Sequence, residues 1–136
     1  MRLVWGLDGP VAEYVAAQFP LVVERGGFDV IKAVGIADSG GFLVGGIVMT
    51  EYRGHDAELS IYLETPKAAT PRIFRELFHW AFREQGFKRL TASISKRNKR
   101  CRRLVEGLGF RLEGTMRYGF SDGTDQCIYG MTFDNC

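Results

Sequence analysis

Apolar and polar positions alternate between two periods along this chain, and the changes of period mark its elements. From Asp8 to Phe19, Val11, Val15, Ala16 and Phe19 recur near helical spacing, and Pro20 follows, so the pattern predicts a helix after a short N-terminal strand. Ile31 to Ala37 reads as a strand, Asp38-Ser39-Gly40-Gly41 as a hairpin turn, and Phe42 to Tyr52 as the next strand, with its first half buried on both faces. Arg53-Gly54-His55-Asp56 turns the chain back. Ala57 to Leu63 then alternates, with Leu59, Ile61 and Leu63 on one face. At Thr70-Pro71 the period changes. Thr70 stands as an N-cap before a proline at the first helical position, and Ile73, Leu77 and Ala81, like Phe74, Phe78 and Phe82, recur at fourfold spacing up to Gln85-Gly86. Lys88 to Ser95 is a strand. Cys101, Leu104, Val105 and Leu108 form one face of a second amphipathic helix ended by Gly109. Arg111 to Phe120 and Gln126 to Phe133 are two strands around the turn Ser121-Asp122-Gly123. The predicted fold class is α/β (α+β): one domain over residues 1–136, with a mixed sheet of about 6–7 strands flanked by 3–4 helices.

Composition narrows the class. A chain of 136 residues buries roughly 68% of the surface its unfolded form exposes, enough for one core. Its longest apolar run, Phe42 to Met49, is far short of the ~20 residues that span a bilayer. The N-terminus, Met1-Arg2-Leu3-Val4-Trp5, lacks the apolar stretch and cleavage site of a signal peptide, which points to the cytoplasm and away from the membrane. Cys101, Cys127 and Cys136 have no metal-ligand spacing, and their odd number argues against a disulfide framework, so no metal is expected. Formal net charge is only +2, but Lys96 to Arg103 is basic at all but two positions.

The segment from Asn98 through Leu104, Gly109 and Phe110 to Glu113-Gly114 and Arg117 carries the most specific pattern: an asparagine, a short helix, Leu-Gly-Phe, Glu-Gly, and an arginine. With Tyr129-Gly130-Met131 downstream, this ending resembles the GNAT superfamily of acetyl-CoA-dependent N-acyltransferases. It is most similar to the ribosomal-protein and amino-terminal acetyltransferase branch and to small phage-encoded relatives. The resemblance covers about 80 residues, from Ala57 onward, and rests on the order of the pieces. It implies an enzyme that transfers an acetyl group from acetyl-CoA to a primary amine. Pantetheine would lie between two parting parallel strands and take backbone hydrogen bonds along Ser60 to Glu64, at Ile61, Tyr62 and Leu63. The pyrophosphate would sit at the N-terminus of the following helix, where free N–H groups and the helix dipole favour an anion. Asn98 and Arg102 match positions beside the cofactor.

Two departures from the family pattern stand out. The phosphate loop usually reads Gln or Arg, two residues, Gly, one residue, Gly or Ala; here Thr65-Pro66-Lys67-Ala68-Ala69-Thr70 stands in its place. Alanine serves only if φ is negative there. Pro71 removes one donor, while Ala68, Ala69, Thr70, Arg72 and Ile73 keep theirs, and Lys67 and Arg72 add charge. Many relatives also have a tyrosine where this chain has Val105, to protonate the leaving thiolate.

Glu58, in Ala57-Glu58-Leu59, is the candidate general base; the alternative is a cross-strand salt-bridge partner. His55 in a turn and His79 on the polar helix face read as surface residues. Asp122 and Asp125 suit either a cationic amine or an ordinary turn. Two other functions compete with catalysis: a GNAT-fold binding module that has lost activity, and nucleic-acid binding through Lys96–Arg103. Few aromatics interleave that patch, so base stacking is not indicated, and a role for one or two of its cations on the cofactor's phosphates is favoured.

Overall fold

The computed structural model describes residues 1–19 and 32–135. The predicted stop at Pro20, the strand start at Ile31 and the thiol of Cys136 lie outside those residues. Seven strands form one sheet: β1 (Arg2–Val4), β2 (Lys32–Ala37), β3 (Leu43–Thr50), β4 (Asp56–Leu63), β5 (Arg89–Ser95), β6 (Arg111–Met116) and β7 (Gln126–Thr132). Their spatial order is β1-β2-β3-β4-β5-β7-β6. Every neighbouring pair is antiparallel except β4 and β5, which run parallel. Three helices complete the described fold: α1 (Asp8–Ala16), α2 (Pro71–His79) and α3 (Lys99–Leu108).

The parallel pair follows from connectivity. The chain leaves β4, crosses the sheet through α2 and returns as β5, a β-α-β unit. The fourfold apolar spacing of α2 does what the sequence implies: Ile73, Phe74, Leu77 and Phe78 are buried against the sheet. The helix does not stay α-helical to Gln85. Residues Trp80–Glu84 widen into a π turn, closed by the Gln85 N–H on the Trp80 carbonyl at 2.9 Å. Ala81 and Phe82 remain buried through it, so the apolar stripe survives the change of winding. α3 begins at Asn98, whose Oδ1 accepts the Cys101 N–H at 3.1 Å, and ends at Gly109 in the left-handed conformation, φ 107°.

On the opposite face α1 lies over β2 and β3. Gly35 and Gly46 are direct cross-strand partners and make its seat. A Cβ on Gly46 would meet Val15 at 2.6 Å, and one on Gly35 would meet Val11 at 3.1 Å. Asp8 pins the start of the helix: one oxygen accepts the Ala33 N–H at 3.1 Å and the other pairs with Lys32 at 3.3 Å. β3 is buried along nearly its whole length, not in its first half alone, because α1 covers one face and the α2 core the other.

The last hairpin is shorter than the periodicity predicts. β6 stops at Met116 instead of Phe120, because Tyr118 takes a positive φ of 54° and Gly119 turns back onto the Met116 carbonyl at 3.2 Å. No residue of β6 is buried.

Candidate active site

The β4–β5 ladder pairs Asp56 with Arg89 through Leu59 with Ala92, and there it ends. Both strands continue. β4 stays paired with β3 as far as Leu63 opposite Gly45, while β5 stays paired with β7 as far as Ser95 opposite Gln126. Two strands that run on with different neighbours after parting leave a wedge between them. Its edge can be read from the antiparallel alternation. The Glu64 N–H donates to the Val44 carbonyl at 2.8 Å, so Tyr62, in phase with it, also turns its peptide groups to β3. The N–H and C=O of Ile61 and Leu63 therefore face the wedge, where β5 no longer takes them. Of the three predicted positions on this strand, Ile61 and Leu63 offer backbone to a ligand. Tyr62 offers its ring on the other face, where it meets Tyr14 of α1 edge-on with centroids 5.7 Å apart.

After β4 the chain makes a short 3-10 turn, Pro66–Ala68, before α2. Among the described residues positive φ falls at six glycines and at Glu51 and Tyr118, none of them between Thr65 and Thr70. Alanine therefore fits where the family pattern has glycine. Ala68 has no exposed surface and packs into the core. The donors differ from expectation. The Ala68 N–H is taken by the Thr65 carbonyl at 3.0 Å and the Ile73 N–H by Thr70 at 3.2 Å. That leaves the N–H groups of Ala69, Thr70 and Arg72 without a partner among the described residues. Thr70 occupies the N-cap position but its hydroxyl does not cap; it donates to the Lys67 carbonyl at 3.3 Å. Arg72 reaches back to the Met1 carbonyl at 2.8 Å, while Lys67 is exposed.

On the face of the sheet opposite α2 and α3, a cavity of about 380 Å³ is lined by Arg53, Asp56, Glu58, Arg89, Thr91 and Ser93, with Gln126 and Ile128 closing it from β7. Its floor is an ion network. Asp56 is buried and pairs with Arg53, lies 3.7 Å from the Arg89 guanidinium, and accepts the Thr91 hydroxyl at 3.0 Å. Arg89 in turn holds Glu113 of β6 at 2.7 Å. These bonds raise the Arg53 and Arg89 pKa values further above the usual arginine range, through Asp56 and Glu113 respectively. Glu58 stands beside this network, half-buried, with no hydrogen bond or ion pair among the described residues. The cross-strand salt bridge that was its alternative role is absent among those residues. The sequence reading had Arg53 and Asp56 only as a turn and Glu113 only as part of the Glu-Gly motif, and it did not single out Arg89 or Thr91. The available signal was the period-two run of polar residues on both strands, Asp56-Glu58-Ser60 and Arg89-Thr91-Ser93-Ser95.

The remaining candidates sit at the start of α3. Asn98 is its N-cap. Arg102 donates through Nε to the Tyr129 hydroxyl at 3.0 Å and through Nη1 to the Lys96 carbonyl at 3.2 Å, and Tyr129 donates to Glu106 at 2.8 Å. Val105 is buried in the core. Asp122 and Asp125 serve the last turn. Asp122 accepts the Thr124 hydroxyl at 2.6 Å and N–H at 2.9 Å, and Asp125 accepts the Tyr118 N–H at 3.1 Å.

A parted parallel pair, a crossover helix with free N–H groups at its start, and an asparagine-capped helix after the second strand form a recognisable set. The family profile for acetyltransferase (GNAT) domains matches residues 11–111. The chain belongs to the GNAT acetyltransferase family. Acetyl-CoA-dependent transfer to nitrogen is that family's chemistry, and this GNAT domain is an enzyme of that kind. Solved structures agree on the fold. Mutant forms of the spermidine/spermine N-acetyltransferase SpeG from Vibrio cholerae superpose with a TM-score of 0.68 at 16% identity, over 76% of this chain and 67% of theirs. A chimera of the Vibrio cholerae spermidine N-acetyltransferase SpeG with hSSAT reaches 0.76 at 13% identity over 98% of both chains. A GNAT-family acetyltransferase from Bacillus anthracis gives 0.63 at 23% identity, over 75% of this chain and 66% of that one. No curated protein matches the sequence significantly. No described helix is long and apolar enough to cross a membrane.

Proposed function

We propose that this chain acetylates a primary amine with acetyl-CoA by direct attack, and that the ending of the ladder at Leu59–Ala92 is what makes this possible. In this reading acetyl-CoA supplies the acetyl group as a thioester. Ile61 and Leu63 hold pantetheine by backbone hydrogen bonds, with Tyr62 backing the strand. Ala69, Thr70 and Arg72 donate N–H groups to the pyrophosphate, Ala68 shapes the loop, and Lys67 adds charge. Asn98 and Arg102 flank the cofactor from α3; Arg102 has Nη2 left for this once Tyr129 and Lys96 are served.

The amine arrives from the polar cavity. Glu58, the carboxylate there without an ion pair among the described residues, attracts the ammonium and takes its proton. The new N–C bond then forms as the C–S bond breaks, and the second proton that the acylated nitrogen must lose passes through water to the leaving thiolate. A base on the opposite face of β4 from the α2 core keeps the two substrates on separate paths that meet only where the strands part.

Glu58→Gln tests this reading. Turnover, followed by free thiol release, should fall at least tenfold across pH 6 to 9, while acetyl-CoA affinity by calorimetry stays within about twofold. Unchanged turnover removes Glu58 from the mechanism. Absence of any heat with millimolar acetyl-CoA removes the cofactor assignment and leaves a GNAT-fold binding module. The finer likeness to the ribosomal-protein and amino-terminal branch and to small phage-encoded relatives belongs to this proposal too, supported by the ending Leu108-Gly109-Phe110 and Glu113-Gly114; the cytoplasmic location and the single-domain span of 1–136 are further parts of the proposal.

A further inference from the structure

We propose that Asp56 and Glu113 are positioning residues for the acetyl transfer: they engage the two arginines and the threonine around Glu58, and so keep that carboxylate unpaired and able to take the proton of the incoming ammonium. The inference rests on the reading of Glu58 as the base. Glu58 stands where a carboxylate is ordinarily captured. It shares its cavity with Arg53, Arg89 and Thr91. Thr91 is its direct neighbour across the parallel pair, and Arg89 lies two residues back on the same face of β5. A half-buried carboxylate beside two guanidinium groups and a hydroxyl is expected to accept from one of them. None of the three donates to it.

Each donor is taken by another carboxylate. Arg53 gives Nε, at 3.1 Å, and Nη2 to the same Asp56 oxygen. The Thr91 hydroxyl has one proton, and it goes to Asp56, with the two carboxylate oxygens 3.0 and 3.1 Å away. That hydroxyl accepts Nε of Arg89 at 3.0 Å, and the other two nitrogens of Arg89 donate to Glu113 at 3.3 and 2.7 Å. The backbone is shaped for this last engagement. The register of β6 shifts between Leu112 and Gly114, so Glu113 is the extra residue of a bulge, which re-aims a side chain. β7 leaves the room with Gly130, where a Cβ would stand 2.7 Å from Nη2 of Arg89 and would overlap the Glu113 carboxylate.

Among the described residues the charged groups around Glu58 are Asp56 on its own strand, Arg53 with the more distant Glu51 from the turn before it, Arg89 of β5 and, behind Arg89, Glu113 of β6; β3 and β7 face it with neutral Thr50, Gln126 and Ile128. Arg53 is half-exposed and can move. Its pKa is raised first by the bond to Asp56 and also by the charges of Glu58 and Glu51, so the base lies within its electrostatic reach. An opposite charge within ~4–6 Å holds a carboxylate ionised to a pH about 1–3 lower. Such a pair would weaken Glu58 as a base and close it to an ammonium. Asp56 and Glu113 prevent that pairing while leaving the cavity polar.

Asp56→Asn tests this, since it keeps the size and one acceptor oxygen but not the charge. The readout is the NMR titration of the Glu58 carboxyl carbon in the full chain labelled in glutamate, its signal identified by loss in Glu58→Gln. The midpoint should fall by about one pH unit or more. Thiol release from acetyl-CoA, with the fastest wild-type acceptor among spermidine, n-butylamine and a hexapeptide, should fall about tenfold in kcat/KM. Adding Arg53→Gln removes the freed guanidinium and should bring the midpoint and the rate most of the way back. Where Asp56→Asn does not fold, Glu113→Gln decides: it lies on a strand with no buried residue, frees Arg89, and should move the midpoint in the same direction. A folded variant that melts lower with the Glu58 midpoint unmoved, or one that Arg53→Gln does not rescue, confines the two acids to structural support and overturns the inference, with Glu58 still the base. Unchanged turnover of Glu58→Gln, or no thiol release with any acceptor, overturns the base assignment and this inference with it.

Discussion

Tyr14 shows how one atom can work against the fold that holds it. Its hydroxyl is shut off from solvent and has no hydrogen-bond partner among the described residues, and burial, reinforced by the charge of Glu64, pushes its pKa up to about 12. A phenol whose folded pKa is raised favours the neutral form. Its contribution is therefore fully present below the ordinary value of 10 and is lost as pH climbs from 10 toward 12. Tyr14→Phe should be neutral or stabilising by up to ~1 kcal/mol at pH 7, because an unpaired buried hydroxyl is removed. It should also flatten the alkaline limb of the melting temperature against pH; an unchanged limb above pH 10 would refute the assignment. Asp56 is the opposite case. Its carboxylate is buried and fully engaged, so Asp56→Ala leaves two arginines facing each other across the cavity floor. A loss of about 1–3 kcal/mol by urea unfolding is expected, because the buried carboxylate's hydrogen bonds to Thr91 and the arginines are lost while Arg53 is half-exposed and Arg89 keeps Glu113.

At the scale of elements the fit of α1 on the sheet depends on two missing side chains. Gly46→Ala should push Val15 away and cost about 1–3 kcal/mol, and Val15→Ala in the same protein should recover part of it, because the clash lies between those two positions. If the double mutant is simply additive, the glycine serves something other than the helix. Such details separate what the sequence discloses from what it hides. The order of all the described strands and helices is legible, because each is written in hydrophobic period, and the caps at Asn98 and Gly109 are written in residue type. The end of β6 is not, since Tyr118 has no composition signal for a positive φ. The π turn at Trp80–Glu84 keeps the apolar stripe that an α-helix would show, so periodicity cannot tell the two apart. The wedge is inferred from resemblance alone until the registers are known, and the ion network of Asp56 is hidden because its members lie far apart in sequence: residues 53, 56, 89, 91 and 113.

Over the whole molecule the sheet separates two charges of work. The α2–α3 face collects cations, Lys99 to Arg103 among them, and the free N–H groups of the α2 start; the other face carries Glu58. A net charge of +2 hides this division. If the first face takes the cofactor, binding must stabilise the entire fold, since β4, α2, β5 and α3 all contribute to the site. At a hundredfold excess over Kd a ligand adds ~2.7 kcal/mol, which for a domain of this size corresponds to a rise of roughly 8–14 °C in melting temperature. Acetyl-CoA and CoA should both give it. Dephospho-CoA, which lacks only the 3′-phosphate, should bind about tenfold more weakly if a cation of α3 grips that group, since a charge-assisted hydrogen bond contributes ~1.5–3 kcal/mol. Arg102→Ala decides whether this side chain is the one. It should erase the difference between the two cofactors, and it should also lower the melting temperature of the free protein, because Tyr129 loses the guanidinium that it accepts from and Glu106 is left as its remaining hydroxyl partner among the described residues. A variant that melts lower but still discriminates between CoA and dephospho-CoA would confine Arg102 to joining α3 to β7 and leave the phosphate to the other basic residues of the helix.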